Sequence, residues 1–224
     1  MADGHKGLTQ PTRLAPADVK VTLECTLAEF FNGSCKTINY KRTQTNIDGR
    51  TLNLVNEAFA IQVKPGHSDS TVMTFKGKGN QGHDNYHHSN LVVSLKAAPE
   101  PNSAYSRSGN NLIYTHSLSL AESLNSSPIK IVTLDGRQIN LNVDQYITPQ
   151  TVHCIKGEGM PIPVGANDDY TRHLETPSSM PRGDLFVKFN IVFPKDLSSD
   201  KKSKILAILR QNQAILDQQD NEDE

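Results

Sequence analysis

Two copies of one short phrase constrain this chain more than its composition does. Ile47-Asp48-Gly49-Arg50-Thr51-Leu52-Asn53-Leu54 returns as Leu134-Asp135-Gly136-Arg137-Gln138-Ile139-Asn140-Leu141. An Asp-Gly pair between alternating apolar and polar residues signals a β-hairpin, because glycine supplies the positive φ that a tight turn needs. Three further blocks recur in the same order. Thr26-Leu27-Ala28-Glu29-Phe30 answers to Ser119-Leu120-Ala121-Glu122-Ser123, and Phe75-Lys76-Gly77-Lys78-Gly79 to Ile155-Lys156-Gly157-Glu158-Gly159. Asn90-Leu91-Val92-Val93 answers to Asp184-Leu185-Phe186-Val187. Four blocks in one shared order imply two copies of a β-rich module.

Periodicity within each copy agrees. Val19, Val21, Leu23 and Cys25 share one face of a predicted strand, with Lys20, Thr22 and Glu24 on the other. Thr26 and Glu29 then form a capping box at the start of a short helix that Gly33 stops, and Ser119 and Glu122 repeat the box. Cys35–Arg42 predicts a second strand, with Lys36, Ile38, Tyr40 and Arg42 on one face. Thr51–Val55, Phe59–Val63, Thr71–Phe75 and Asn90–Leu95 predict the remaining strands of the first copy. A Pro-rich linker, 97–103, leads to a second copy over 105–194, which carries a polar insertion at 165–182. Helical spacing over 198–216 places Ile205, Ile208, Leu209 and Leu216 roughly on one face. The expected divisions are 1–17 as a leader or expression boundary, 18–98 and 99–195 as the two domains, 196–216 as a helix, and 217–224 as an acidic tail.

Bulk properties exclude several classes. A net charge of −1 over 224 residues gives no global field for nucleic acid or an anionic membrane. The apolar runs are strand-length, so no membrane span is expected, and the start lacks the apolar core of a signal peptide. Cys25, Cys35 and Cys154 cannot all pair, which fits a reducing compartment and a cytoplasmic location. The His-rich stretch His83-Asp84-Asn85-Tyr86-His87-His88 reads as a solvated loop rather than a zinc site, for no Cys-x-x-Cys accompanies it. No metal or cofactor is expected. No Gly-x-Ser-x-Gly elbow holds a serine, so catalysis is not expected either. Gly77-x-Gly79 and Gly157-x-Gly159 lead toward strands, which favours turn chemistry over a phosphate loop. Arg182-Gly183-Asp184 reads as a turn into the last strand. The face of Lys36, Ile38, Tyr40 and Arg42 has two readings: a packed apolar side bordered by cations, or an apolar groove with a basic rim for an extended peptide.

Taken together, the blocks resemble the C-terminal region of a DnaJ-type forty-kilodalton heat-shock co-chaperone of the class without a zinc-finger insertion. The resemblance covers about Val19 to Leu209. It rests on Leu27-Ala28-Glu29-Phe30-Phe31-Asn32-Gly33, Val63-Lys64-Pro65-Gly66, Thr133-Leu134-Asp135-Gly136-Arg137, Gly157-Glu158-Gly159-Met160-Pro161 and Arg182-Gly183-Asp184-Leu185. It implies a mainly β fold: two tandem β-sandwich-like domains of duplicated origin, followed by a C-terminal helix that makes a homodimer. It also implies that the first domain's groove receives unfolded client polypeptide and the acidic tail of the seventy-kilodalton heat-shock chaperone. Strand alignment places Val21, Leu23, Ile38, Tyr40 and Val93 on that groove with Lys36 as a basic contact, and the apolar face of the terminal helix puts Ile205, Ile208 and Leu209 at the dimer interface. His67 stands where the family usually has Trp, and Ser70 where it has Gly. No His-Pro-Asp tripeptide or Gly/Phe-rich stretch occurs in the sequence, so the J-domain is expected to be missing from this chain. The alternative function is a J-domain-less structural adaptor that uses the same fold to scaffold an assembly.

Overall fold

The computed structural model describes residues 16–46, 51–82, 88–125, 128–143, 146–163 and 180–219, with side chains of the last segment described to 211. The Asp48-Gly49 turn, most of the His-rich stretch, and most of the polar insertion lie outside these residues. Described residues fall into two compact units, one drawn from Met1–Tyr114, Ile131–Ile139 and Cys154–Val187, the other from Thr115–Lys130, Asn140–His153 and Lys188–Glu224.

The first copy begins with β1 (Val19–Cys25), α1 (Leu27–Asn32), β2 (Ser34–Thr45) and β3 (Leu52–Val63). β4 (Val72–Phe75) and β5 (Leu91–Ala97) complete it. β1 runs parallel to β5, which is also paired antiparallel with β4, and β2 and β3 form a separate antiparallel hairpin. The two runs expected at 51–55 and 59–63 are one strand. Its middle, Asn56 and Glu57, stays paired because it lies opposite Lys41 and Tyr40, and Glu57 also meets the Arg42 guanidinium. Cross-strand partners of this kind let polar residues remain in register.

The second copy contributes β6 (Tyr105–Ser108), β7 (Asn111–Ser119), α2 (Leu120–Ser123), β8 (Ile129–Val132), β9 (Gln138–Leu141), β10 (Val152–Ile155) and β11 (Leu185–Val192). Strand orders β1-β5-β4 and β7-β11-β10 correspond, with β6 added beside β7 as an extra edge strand. Equivalent bonds recur as well. Val19 N–H donates to the Asn90 carbonyl at 2.9 Å and Leu112 N–H to that of Asp184 at 2.9 Å. Gly79 N–H donates to Ser89 at 2.9 Å, and Gly159 N–H to Gly183 at 2.8 Å. Both capping boxes form, and both N-cap residues have φ −73°. The fold is mainly β and the duplication is visible in its hydrogen bonds.

Apolar burial follows the alternation in each copy. Leu23, Cys25, Phe30, Phe31, Ile61, Leu91 and Leu95 are buried in the first, and Leu112, Ile131, Met160, Leu185 and Val187 in the second. Each large aliphatic or aromatic side chain so placed contributes about 1.5–3 kcal/mol. Gly77 and Gly157 take positive φ (69° and 72°) in the turns after β4 and β10, so these motifs are turns, as their spacing predicts. Finally, α3 (Ser199–Gln219) runs three residues past the expected end.

Within the first unit, Arg182 sits over the Phe31 ring, 4.9 Å from its centroid, and reaches Asp135 at 3.4 Å and Glu158 at 3.6 Å. Arg137 joins the same acids at 2.8 and 2.6 Å. Burial pushes the Asp135 carboxyl upward, but hydrogen bonds from Thr133 and Arg137 outweigh it and hold its pKa down to about 2. A folded-state pKa below the unfolded value of about 3.9 stabilises the fold above that value, and the contribution is lost as pH falls toward 2. The stability lost across that window through Asp135, whose side chain is 15% exposed, should be about 2 kcal/mol. Asp135→Asn should therefore flatten the fall in urea midpoint between pH 4 and pH 2 (both about the limits of that window). An unchanged slope would show that Asp135 is not held low.

Candidate functional site

Strand β2 has one edge paired with β3 and another that is only partly closed. At its far end the Thr43 N–H donates to Asn80 Oδ1 at 2.9 Å and the Thr45 N–H to Gln81 Oε1 at 3.1 Å. Gln81 N–H returns a bond to the Thr43 carbonyl at 2.9 Å. In a regular strand alternate residues turn their backbone groups to the same side. Cys35, Thr37, Asn39 and Lys41 therefore aim N–H and C=O at this outer edge. No described residue pairs with the backbone of Thr37, Asn39 or Lys41 there. Cys35 to Lys41 spans about 20 Å of strand.

The side chains of Lys36, Ile38 and Tyr40 stand on one face beside this edge, and β1, which carries Val21 and Leu23 on one of its own faces, also approaches β2. Their depth differs from a freely open floor. Ile38, Tyr40 and Leu23 are 7%, 5% and 8% exposed, while Val21 is half-buried. Val93 lies opposite Val21 on the central strand β5, on the same face of that sheet, and is wholly buried, so it does not reach the surface. The Tyr40 hydroxyl donates to the Lys78 carbonyl at 2.7 Å, which fixes the ring. The accessible parts of the site are thus the backbone edge and the basic rim.

Lys36 forms that rim. Its Nζ donates to the Glu24 carbonyl at 2.8 Å and to Glu29 Oε2 at 2.9 Å. Glu29 is also the acidic member of the α1 capping box, accepting the Thr26 N–H at 2.8 Å on the same oxygen. Burial raises the Glu29 carboxyl, yet its bonds from Lys36 and Thr26 leave it below the ordinary value. Sequence reading identified Glu29 as a cap and missed its bond to Lys36; it also missed Asn80 and Gln81, which close the far end of the edge. Only the proximity of Glu29 to a lysine-bearing strand signalled the first; the second carried no local signal.

The residues expected at a dimer interface lie on α3, and Ile205, Ile208 and Leu209 are 41%, 60% and 57% exposed in the single chain. Leu206 adds a fourth exposed apolar group. His83–His87 fall outside the described residues. Among the described residues, no group of three His, Cys, Asp or Glu is placed to hold a metal ion, and no helix is long and apolar enough to cross a membrane.

Residues 19–194 match the family model of the DnaJ C terminal domain. DnaJ homolog subfamily B member 5 of Homo sapiens is 32% identical over 206 residues, covering 87% of this chain and 55% of that protein. Protein SIS1 of Saccharomyces cerevisiae is 29% identical over 204 residues, 88% of this chain and 50% of its own. Chaperone protein DnaJ of a Thermotoga species is 24% identical over 155 residues, 69% and 37% respectively. The chain spans about half the length of the first two relatives. The match covers both copies of the repeat, the open edge of β2 and its basic rim, and so the chain belongs to the DnaJ C-terminal domain family.

Proposed function

We propose that this chain is the client-binding part of a co-chaperone and has no catalysis of its own. Unfolded polypeptide, or the acidic C-terminal tail of a seventy-kilodalton heat-shock chaperone, adds as an extended strand along the open edge of β2. Val21, Leu23, Ile38 and Tyr40 lie beneath the added strand, with Val93 buried beside Val21, and Lys36 meets the partner's carboxylates. A second copy pairs through Ile205, Ile208 and Leu209 of α3. One observation carries the reading: a strand edge that no described residue pairs at Thr37, Asn39 or Lys41, with a cation at its rim, in the copy of the repeat that keeps the lysine. Strand addition gives affinity through main-chain bonds, and alternate side chains give selectivity. Three unpaired cysteines support work in a reducing compartment such as the cytoplasm.

Peptide titration tests it. An acidic peptide ending in Glu-Glu-Val-Asp should bind more weakly as salt rises, because a rim contact is screened. Lys36→Ala should weaken that peptide by about two- to fivefold, the range of a partly exposed ion pair, and leave a neutral apolar peptide nearly unchanged. Equal binding of both peptides by wild type and Lys36→Ala would remove the groove from this edge.

A further inference from the structure

Lys36 already holds a carboxylate, and the second copy of the repeat shows that the fold does not require this pairing. Glu122 makes the same capping box, its carboxylate taking the Ser119 N–H at 2.7 Å. Counting from the two caps, Ile129 occupies the position of Lys36, and the burial sequence of β8 repeats that of β2: half-buried Ile129 and buried Ile131 answer to half-buried Lys36 and buried Ile38. A cap glutamate therefore needs no lysine, and that slot accepts an apolar side chain. The Lys36–Glu29 contact is a property added to the first copy alone.

We propose that Glu29 is a built-in competitor at the groove, an internal carboxylate that occupies Lys36 until an acidic peptide displaces or shares it. This rests on the groove reading above and names what regulates its selectivity. Two of the three Lys36 donors are engaged, one by the Glu24 carbonyl and one by Glu29. An incoming carboxylate takes the remaining donor beside the Glu29 charge, or takes the donor that Glu29 held. In either case Glu29 weakens acidic ligands and leaves neutral ones alone, so the site favours clients over acidic tails unless the tail carries several carboxylates. The Glu24 carbonyl keeps Lys36 in place when the Glu29 charge is removed.

Glu29→Gln is the substitution of choice, since Gln is itself a capping-box residue and preserves the bond to the Thr26 N–H. Wild type, Glu29→Gln and Glu122→Gln are titrated at low salt with a Glu-Glu-Val-Asp peptide and its amidated Gln-Gln-Val-Asn counterpart. Glu29→Gln should tighten the acidic peptide by about two- to fivefold and leave the neutral one unchanged, while Glu122→Gln changes neither. Glu29→Gln binding the acidic peptide no more tightly than wild type overturns the proposal, and a loss in Lys36→Ala would then leave the groove standing. If Lys36→Ala also binds like wild type, the groove fails and the competitor with it. A measurement on wild type alone does not depend on how the variant folds: saturating acidic peptide should raise the Glu29 carboxyl pKa followed by carbon-13 NMR, and the neutral peptide should not. A Glu29 titration unmoved by the acidic peptide overturns the proposal.

Discussion

Gly159→Ala should lower the stability of the chain by about 2–4 kcal/mol, the cost of forcing atoms into a fully packed site. A methyl group there would lie 2.5 Å from the Gly183 carbonyl carbon, 2.6 Å from the Asp184 nitrogen and 2.7 Å from the Asp184 oxygen. These are all backbone atoms, so no side chain can swing away. The bond from Gly159 N–H to the Gly183 carbonyl holds the two segments at that separation. Gly136→Ala is the control. Gly136 has φ 83° and open space around its Cα, so alanine there meets only the left-handed backbone penalty, about 1–2 kcal/mol. Urea denaturation of both variants separates the two causes. Should Gly159→Ala cost no more than Gly136→Ala, close approach of the backbones is not what demands a glycine.

Deleting residues 197–224 should convert a concentration-dependent dimer into a monomer. Ile205, Leu206, Ile208 and Leu209 are between 41% and 60% exposed on a helix of 21 residues. Covering such side chains contributes at most about 1.5–3 kcal/mol each, and they are partly shielded already. Association itself costs about 4–15 kcal/mol, so one helix pair supports a modest dimer that dissociates on dilution. Sedimentation velocity over a wide concentration range is the measurement. A mass identical before and after the deletion would place dimerisation elsewhere or exclude it. Ile208→Asp in the full chain should have the same effect without shortening it, because it sets a charge on the proposed contact.

Local physics made much of this molecule readable from its residues. The capping boxes at Thr26 and Ser119, the glycine turns at 77 and 157, and the alternation of β1 and β5 depend on neighbours within a few positions, and the chain spells them out. Repetition extended that reach by showing that two distant segments obey one plan. Depth was not legible. Periodicity put Ile38 and Tyr40 on one face and the resemblance put Val93 on the groove beside them, but whether a face is sealed or open depends on what other elements lie over it, and Val93 is sealed. Nor was the length of β3: Asn56 and Glu57 look like a break until the register sets Glu57 opposite Tyr40 and beside Arg42. Contacts across long separations, Arg182 over Phe31 or Asn80 on Thr43, leave no periodic trace.

The closed end of β2 has a consequence for what an exposed strand edge can template. An exposed strand edge is a template on which further chains stack without limit. Here Asn80 and Gln81 satisfy Thr43 and Thr45, so a strand growing along the edge past Lys41 meets groups that are already bonded. In the proposed binding mode only a short segment of an extended chain is seated, and its remainder is turned away from the sheet. On the reading proposed above, an edge closed in this way offers an extended chain a berth of fixed length and does not become the seed of a fibre.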